Sequence, residues 1–205
     1  MSYWRSQLTD DELTEGEGLG DAPVEALPET AFNPDGRYFI SYRSVDGNDL
    51  ADEFQTRLRA AGLSAWRDAA DLKLGRIGTR LTQALTGGKG FTGAGLAGAL
   101  LIATPRVWTS TPVRHLEAPI IVELAQRHED DGFQLAIANA VPSSDRGPAA
   151  MAGADEVYGL AKGTLSPYLM HDVTTVDGRE RIVRHFLEDR VDHRIEMLRH
   201  GHPLK

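Results

Sequence analysis

The run LAGALLIAT, residues 96–104, carries no charge and no alternation of polar with apolar side chains. A short stretch that is apolar on every side reads as a strand covered on both faces, as in the interior of a parallel sheet. It is far too short to span a bilayer. Parallel strands need crossover connections, so a chain built on this run must supply helices on either side of it.

Those helices are legible. RYFISYR, from Arg37, reads as a first strand, and NDLADEFQTRLRAAG follows with Leu50, Phe54 and Leu58 four apart and a stop at Gly62. LSAW is a short second strand. RIGTRLTQAL repeats Ile77, Leu81 and Leu85 on one face. After the apolar run, PVRHLEAPIIVELAQRH is a helix expected to bend at Pro119, FQLAIANAV a fourth strand and YLMHDVTTV a fifth. Residues 143–165 have room for one short helix. The final helix, RERIVRHFLEDRVDHRIEMLRHG, aligns Val183, Leu187, Val191, Ile195 and Leu198 in one stripe. The expected fold is therefore α/β, a flavodoxin-like parallel sheet of about five strands with helices on both faces and the order 2-1-3-4-5. Ligands of such sheets sit beyond the carboxyl ends of the strands, where strands 1 and 3 diverge, so the loops that matter start at Ser41, Arg67 and Thr104.

Charge divides the chain. Residues 1–30 hold eight acidic residues against Arg5 alone, with no apolar period, and residues 1–35 read as a flexible acidic leader. Residues 36–165 read as the core domain and 166–205 as a terminal strand and long helix that packs on it or links to a sensor. No basic stripe is present, which argues against a nucleic-acid surface. The chain has no cysteine, which removes disulfides, thiolate metal sites and thiol nucleophiles. The N-terminus lacks the basic segment and apolar run of a secretory signal, so a cytoplasmic protein without membrane association is expected.

Several motifs invite a functional reading. GGKGFTGAGLAG matches GxGxxG twice. A helix precedes it and a strand follows, the reverse of a dinucleotide fingerprint, so it reads as a connection. SYRSVDGND, at the end of strand 1, contains a helix start for which Asp46 or Asn48 supplies the cap, and it also sets Tyr42 and Arg43 at the sheet edge. WRDAADLKLG follows strand 2. In TPRVWTSTPVRHLEAP, Thr111 and Pro112 begin a helix, with Glu117 in its second turn. Most helix-surface glutamates are solvated charges; Glu117 is flanked by Leu116 and Ala118 and lies near the divergence of strands 1 and 3. Glu123 is the competitor, about two turns further along. The histidines are scattered; His115 is the one near the site, and His200 and His202 lack a third metal ligand.

Taken together, these residues resemble a TIR (Toll/interleukin-1 receptor) domain of the bacterial defence type. RYFISYRSVDGNDLADEF is similar to the family's opening box, AWRD…LG to its second box with the mobile BB loop, and ALLIATPRVWTSTPVRHLEAP to the third strand and the helix bearing the catalytic glutamate. The resemblance spans roughly residues 36–165. It implies a flavodoxin-like domain that cleaves the nicotinamide–ribose bond of NAD+, by hydrolysis or with cyclisation of the ADP-ribose, with Glu117 at the catalytic position. NAD+ is then the substrate, and neither a cofactor nor a metal is implied. STPVRHLE places Pro112 and Val113 where the family's aromatic stands, which leaves stacking to Trp108 or Trp66.

By the same resemblance, Ser41, Tyr42, Arg43, Trp66, Asp68 and Trp108 are the expected NAD+-binding residues, with Arg43 toward the pyrophosphate and Asp68 holding Arg67 or the BB loop. Asp71, Leu72, Leu74 and Gly75 are expected to form an assembly loop against other TIR domains. The expected role is an effector of anti-phage immunity activated by assembly, with a sensor domain or protein that binds a cyclic nucleotide as a further partner. Two alternatives stand beside it: a non-catalytic TIR interaction module, and a nucleoside deoxyribosyltransferase-like enzyme that also uses one glutamate.

Overall fold

A computed structural model describes residues 27–67, 81, 83–85, 95–142, 144 and 169–201. The described strands are β1 (Phe32–Ser41), β2 (Ala65–Arg67), β3 (Leu96–Ala103), β4 (Gln134–Asn139) and β5 (Leu169–Asp172). The helices are α1 (Ser44–Ala60), α2 (Ala118–Arg127) and α3 (Val176–Arg199). All strand pairs are parallel, in the order β2-β1-β3-β4-β5. The chain is thus an α/β protein with a flavodoxin-like sheet, and β1 and β3 flank the point where the winding reverses.

The apolar run becomes β3, buried at every residue. Alternate side chains of the sheet feed two cores. Phe39, Ala99, Leu101 and Ile137 meet Val113, Ile121 and Leu124 from the α2 side, together with Leu81 and Leu85. Tyr38, Ile40, Leu100 and Ala138 meet Ala51, Phe54 and Leu58 of α1 and Ile182 and Phe186 of α3. Leu81 and residues 83–85 are helical, as the period predicts; Ile77 and most of 143–165 lie outside the described residues.

Three boundaries differ from the sequence reading. β1 begins at Phe32, five residues before Arg37, and Leu27 and Ala31 are buried, so residues 27–35 belong to the body and not to the leader. Phe32 stacks on His128 with ring centroids 4.6 Å apart. α1 starts at Ser44, taking SVDG as its first turn, with Arg43 at the cap position and no side-chain cap hydrogen bond. Neither Asp46 nor Asn48 caps it; Asp46 pairs with Arg43 at 3.3 Å. On α3, Ile182 and Phe186 are buried and Val183 and Leu187 pack at the margin, whereas Val191, Ile195 and Leu198 are exposed.

α3 starts cleanly because the Thr175 hydroxyl accepts from the Gly178 amide at 3.1 Å. It also packs on His171 of β5, whose Nε2 is buried without a hydrogen-bond partner among the described residues. Burial lowers the His171 pKa below its usual value, and the neighbouring His185 and Arg181 charges lower it further. The folded state therefore resists protonating His171 while the unfolded chain does not, so stability is kept above the unfolded pKa and lost as pH falls below it. Thermal unfolding from pH ~7 to ~5 should show a falling melting temperature, the window beginning near the unfolded histidine value of about 6.5. Asp189, which burial pushes up, opposes this at lower pH. His171→Asn should flatten the slope above pH ~5; an unchanged slope would assign it to other groups.

Candidate functional site

The carboxyl ends of β1 and β3 bring together a strand-end serine and a buried glutamate. Residues 111 and 112 are helical, Val113–Glu117 form a π turn, and α2 continues from Ala118. The Ala118 amide donates to the Val113 carbonyl, the five-residue step of a π turn. Pro119 has no N–H, so the His115 carbonyl loses its ordinary partner, and the helix widens just ahead of the proline. The expected bend at Pro119 takes this form. One extra residue in a turn advances the side chains that precede it by about 100° around the axis, which alters where Glu117 projects.

Glu117 is 5% exposed and Ser41 is 0% exposed. The Ser41 hydroxyl donates to Glu117 Oε2 at 2.5 Å. Such a distance belongs to a charge-assisted O–H···O⁻ bond. A buried carboxylate is costly unless hydrogen-bonded, and this donor comes from the last residue of β1. The strand alternation explains the meeting: Ser41 follows Phe39 on the face that α2 covers.

Glu123 has a different environment. It forms an ion pair with Arg127 on the α2 surface, and its side chain is 37% exposed. Arg127 also donates to the Leu27 carbonyl at 3.4 Å. Of the two glutamates, only Glu117 is held inside the strand-end crevice.

The remaining expected site residues divide between the two faces of the sheet. Trp66 is half-buried on the Glu117 face and packs on Phe39 with centroids 4.7 Å apart. Tyr42 turns to the α1 face. There Arg67 donates to the Tyr42 hydroxyl at 3.4 Å, Asn48 Oδ1 at 2.9 Å and Gln55 Oε1 at 3.2 Å, and pairs with Asp52 at 2.6 Å. This network ties the end of β2 to α1 and accounts for Asn48 in the polar segment after β1. Arg43 is buried beside Asp46 at the start of α1. Trp108 lies in the 3-10 turn Val107–Thr109, and its side chain is outside the described part of the structure. Asp68, Asp71, Leu72, Leu74 and Gly75 also lie outside the described residues. His115 is exposed on the π turn.

One residue at this edge was singled out by the sequence only as a loop start. Thr104, directly after β3, is 1% exposed, and its Oγ1 has no hydrogen-bond partner among the described residues. Nothing in TPRVW marks a buried hydroxyl, because its burial depends on how closely α1 settles on the strand ends. Among the described residues no group of three His, Asp or Glu side chains could hold a metal ion, and no helix is long and apolar enough to cross a membrane. The chain matches no protein-family model and no curated protein.

Proposed function

We propose that this chain is an NAD+ nucleosidase of the TIR type, cleaving the bond between nicotinamide N1 and ribose C1′. The observation that carries the reading is the buried Glu117 carboxylate, held by Ser41 at 2.5 Å at the divergence of β1 and β3. The reaction asks little of acid catalysis. The electron pair of the breaking bond goes to the pyridinium nitrogen, and nicotinamide leaves neutral. Positive charge then develops on the ribose, as in glycoside hydrolysis. A fixed carboxylate in a water-poor crevice stabilises that charge far better than one in bulk water. Water adds to C1′ and gives up a proton, completing hydrolysis. Ser41 acts as a positioning residue, since its hydrogen bond restricts the rotation of the carboxylate. Trp66 offers an aromatic surface on the same face for a planar base.

The direct test is incubation of concentrated protein with NAD+, following free nicotinamide; no release at any concentration or degree of crowding would overturn the reading. Ser41→Ala should lower kcat by roughly tenfold to a hundredfold with little change in KM, the scale of a lost hydrogen bond to a charged group. Ser41→Thr should restore part of that loss, because the hydroxyl returns.

A second reading, a non-catalytic TIR interaction module, has one observation in its favour. Val191, Ile195 and Leu198 of α3 are 53%, 40% and 53% exposed, in a stripe suited to contact with another chain. The nicotinamide assay separates the two readings, because a module would leave NAD+ intact.

A further inference from the structure

We propose that Thr104 is a substrate-binding residue whose hydroxyl donates to the diphosphate of the dinucleotide, at the first turn of α1. The inference rests on the NAD+ reading and assigns a part of the site beyond the carboxylate. Thr104 ends the central strand at the point where β1 and β3 part. Its side chain is on the α1 face, opposite to that of Ala103. A Cβ added to Gly47 would lie 3.5 Å from Thr104 Cγ2 and 3.3 Å from Tyr42 Cβ, so the glycine lets the first turn of α1 seat closely on both residues. Glycine within a helix is unfavourable, and a position that keeps it for close approach is specifying the position of that turn.

Three features of this corner suit an anion. The first is the amino end of a helix of 17 residues, which carries partial positive charge and no side-chain cap hydrogen bond from Arg43. The second is the buried Arg43 guanidinium at the same cap position, which shares its charge with Asp46 of that turn at 3.3 Å and so leaves the hydroxyl as the main donor. The third is the Thr104 hydroxyl. Buried hydroxyls in folded proteins are nearly always paired, and this one lacks a partner among the described residues. The Thr104 carbonyl already accepts from the Val107 amide at 3.2 Å, while the hydroxyl has no partner among the described residues. With Ser41 holding the glutamate on the α2 face, Thr104 supplies a second hydroxyl on the α1 face. The ribose next to nicotinamide would meet the first and the diphosphate the second.

The experiment measures ADP-ribose and adenosine binding by calorimetry for the full chain, Thr104→Val and Thr104→Ser, alongside melting temperature and nicotinamide release. ADP-ribose carries the diphosphate but not the scissile bond, and adenosine carries neither. Thr104→Val is expected to bind ADP-ribose roughly tenfold or more weakly, the scale of one hydrogen bond to a charged group. It should keep its adenosine affinity and melt at or above the wild-type temperature, because an unpaired hydroxyl has been removed. Thr104→Ser should bind ADP-ribose nearly as the wild type does. Unchanged ADP-ribose binding by Thr104→Val, or an equal loss of ADP-ribose and adenosine binding, would overturn the Thr104 assignment and leave the NAD+ reading standing. A large fall in melting temperature in Thr104→Val but not in Thr104→Ser would make the hydroxyl structural and also overturn it. A wild-type chain that neither binds ADP-ribose nor releases nicotinamide would overturn both.

Discussion

On the proposed NAD+ nucleosidase reading, Glu117→Gln is expected to lower nicotinamide release by about a thousandfold, the upper range for removing one electrostatic stabiliser of a transition state. The amide keeps the shape of the side chain and can still pair with Ser41, so the loss isolates the charge. The melting temperature should change little, because the variant replaces a buried ion with a neutral group of similar volume. Glu123→Ala is the matched control. It breaks an exposed ion pair with Arg127, worth about 0–1 kcal/mol. It should retain most of the activity. If Glu123→Ala were the inactive variant, the catalytic role proposed for Glu117 would fall.

That contrast shows how far the sequence could be read. The preference for Glu117 over Glu123 rested on the family resemblance and on distance along a helix; the burial of Glu117 and the exposure of Glu123 came from the structure. The hydrogen bond from Ser41 was not legible, because it depends on the alternation of β1 and on a change of helical period that Pro119 induces without any motif of its own. The separation of Tyr42 from Glu117 was likewise hidden. Adjacent residues at a strand end project to opposite faces, and the pairing of Tyr42 with Arg67 requires β2 to lie beside β1.

The fold was more legible than its edges. β3 and β4 are buried at every residue, and their apolar centres were legible from composition. The first half of β1, with Pro34 and Gly36, falls largely in the stretch that reads as an acidic leader, and its pairing with β3 shifts register between Phe32 and Tyr38. Gly36 is there because a Cβ would lie 2.7 Å from the Gly95 carbonyl oxygen, a tertiary fact that local propensity cannot supply. The stripe on α3 has another explanation. A helix of 24 residues extends about 36 Å, whereas β4, with six, covers about 20 Å. The period continues after the sheet has ended, so Val191, Ile195 and Leu198 have none of the described strands beneath them.

α3 is held where it still overlies the sheet. Phe186 is fully buried, and its ring meets Tyr38 edge-on with centroids 5.1 Å apart. Its carbonyl accepts from Gln134 Nε2 at 3.3 Å, and Gln134 in turn accepts from the Tyr38 hydroxyl. Packing and a buried polar chain therefore converge on one turn of the helix. Phe186→Ala should destabilise the protein by about 3–5 kcal/mol, through lost burial and the cavity left against Tyr38. A domain of ordinary stability has only about 5–15 kcal/mol to lose, so chemical denaturation should show a much earlier midpoint. Further along, Arg190 and Arg194 reach Asp35 at 3.5 and 2.6 Å, but these contacts are largely solvated and add little. Val191→Ala and Ile195→Ala should accordingly shift the denaturation midpoint by no more than about 0.5 kcal/mol equivalent. A loss at Val191 or Ile195 comparable to that at Phe186 would mean that the far half of α3 is buried in solution, by another chain or by residues outside the described part of this one.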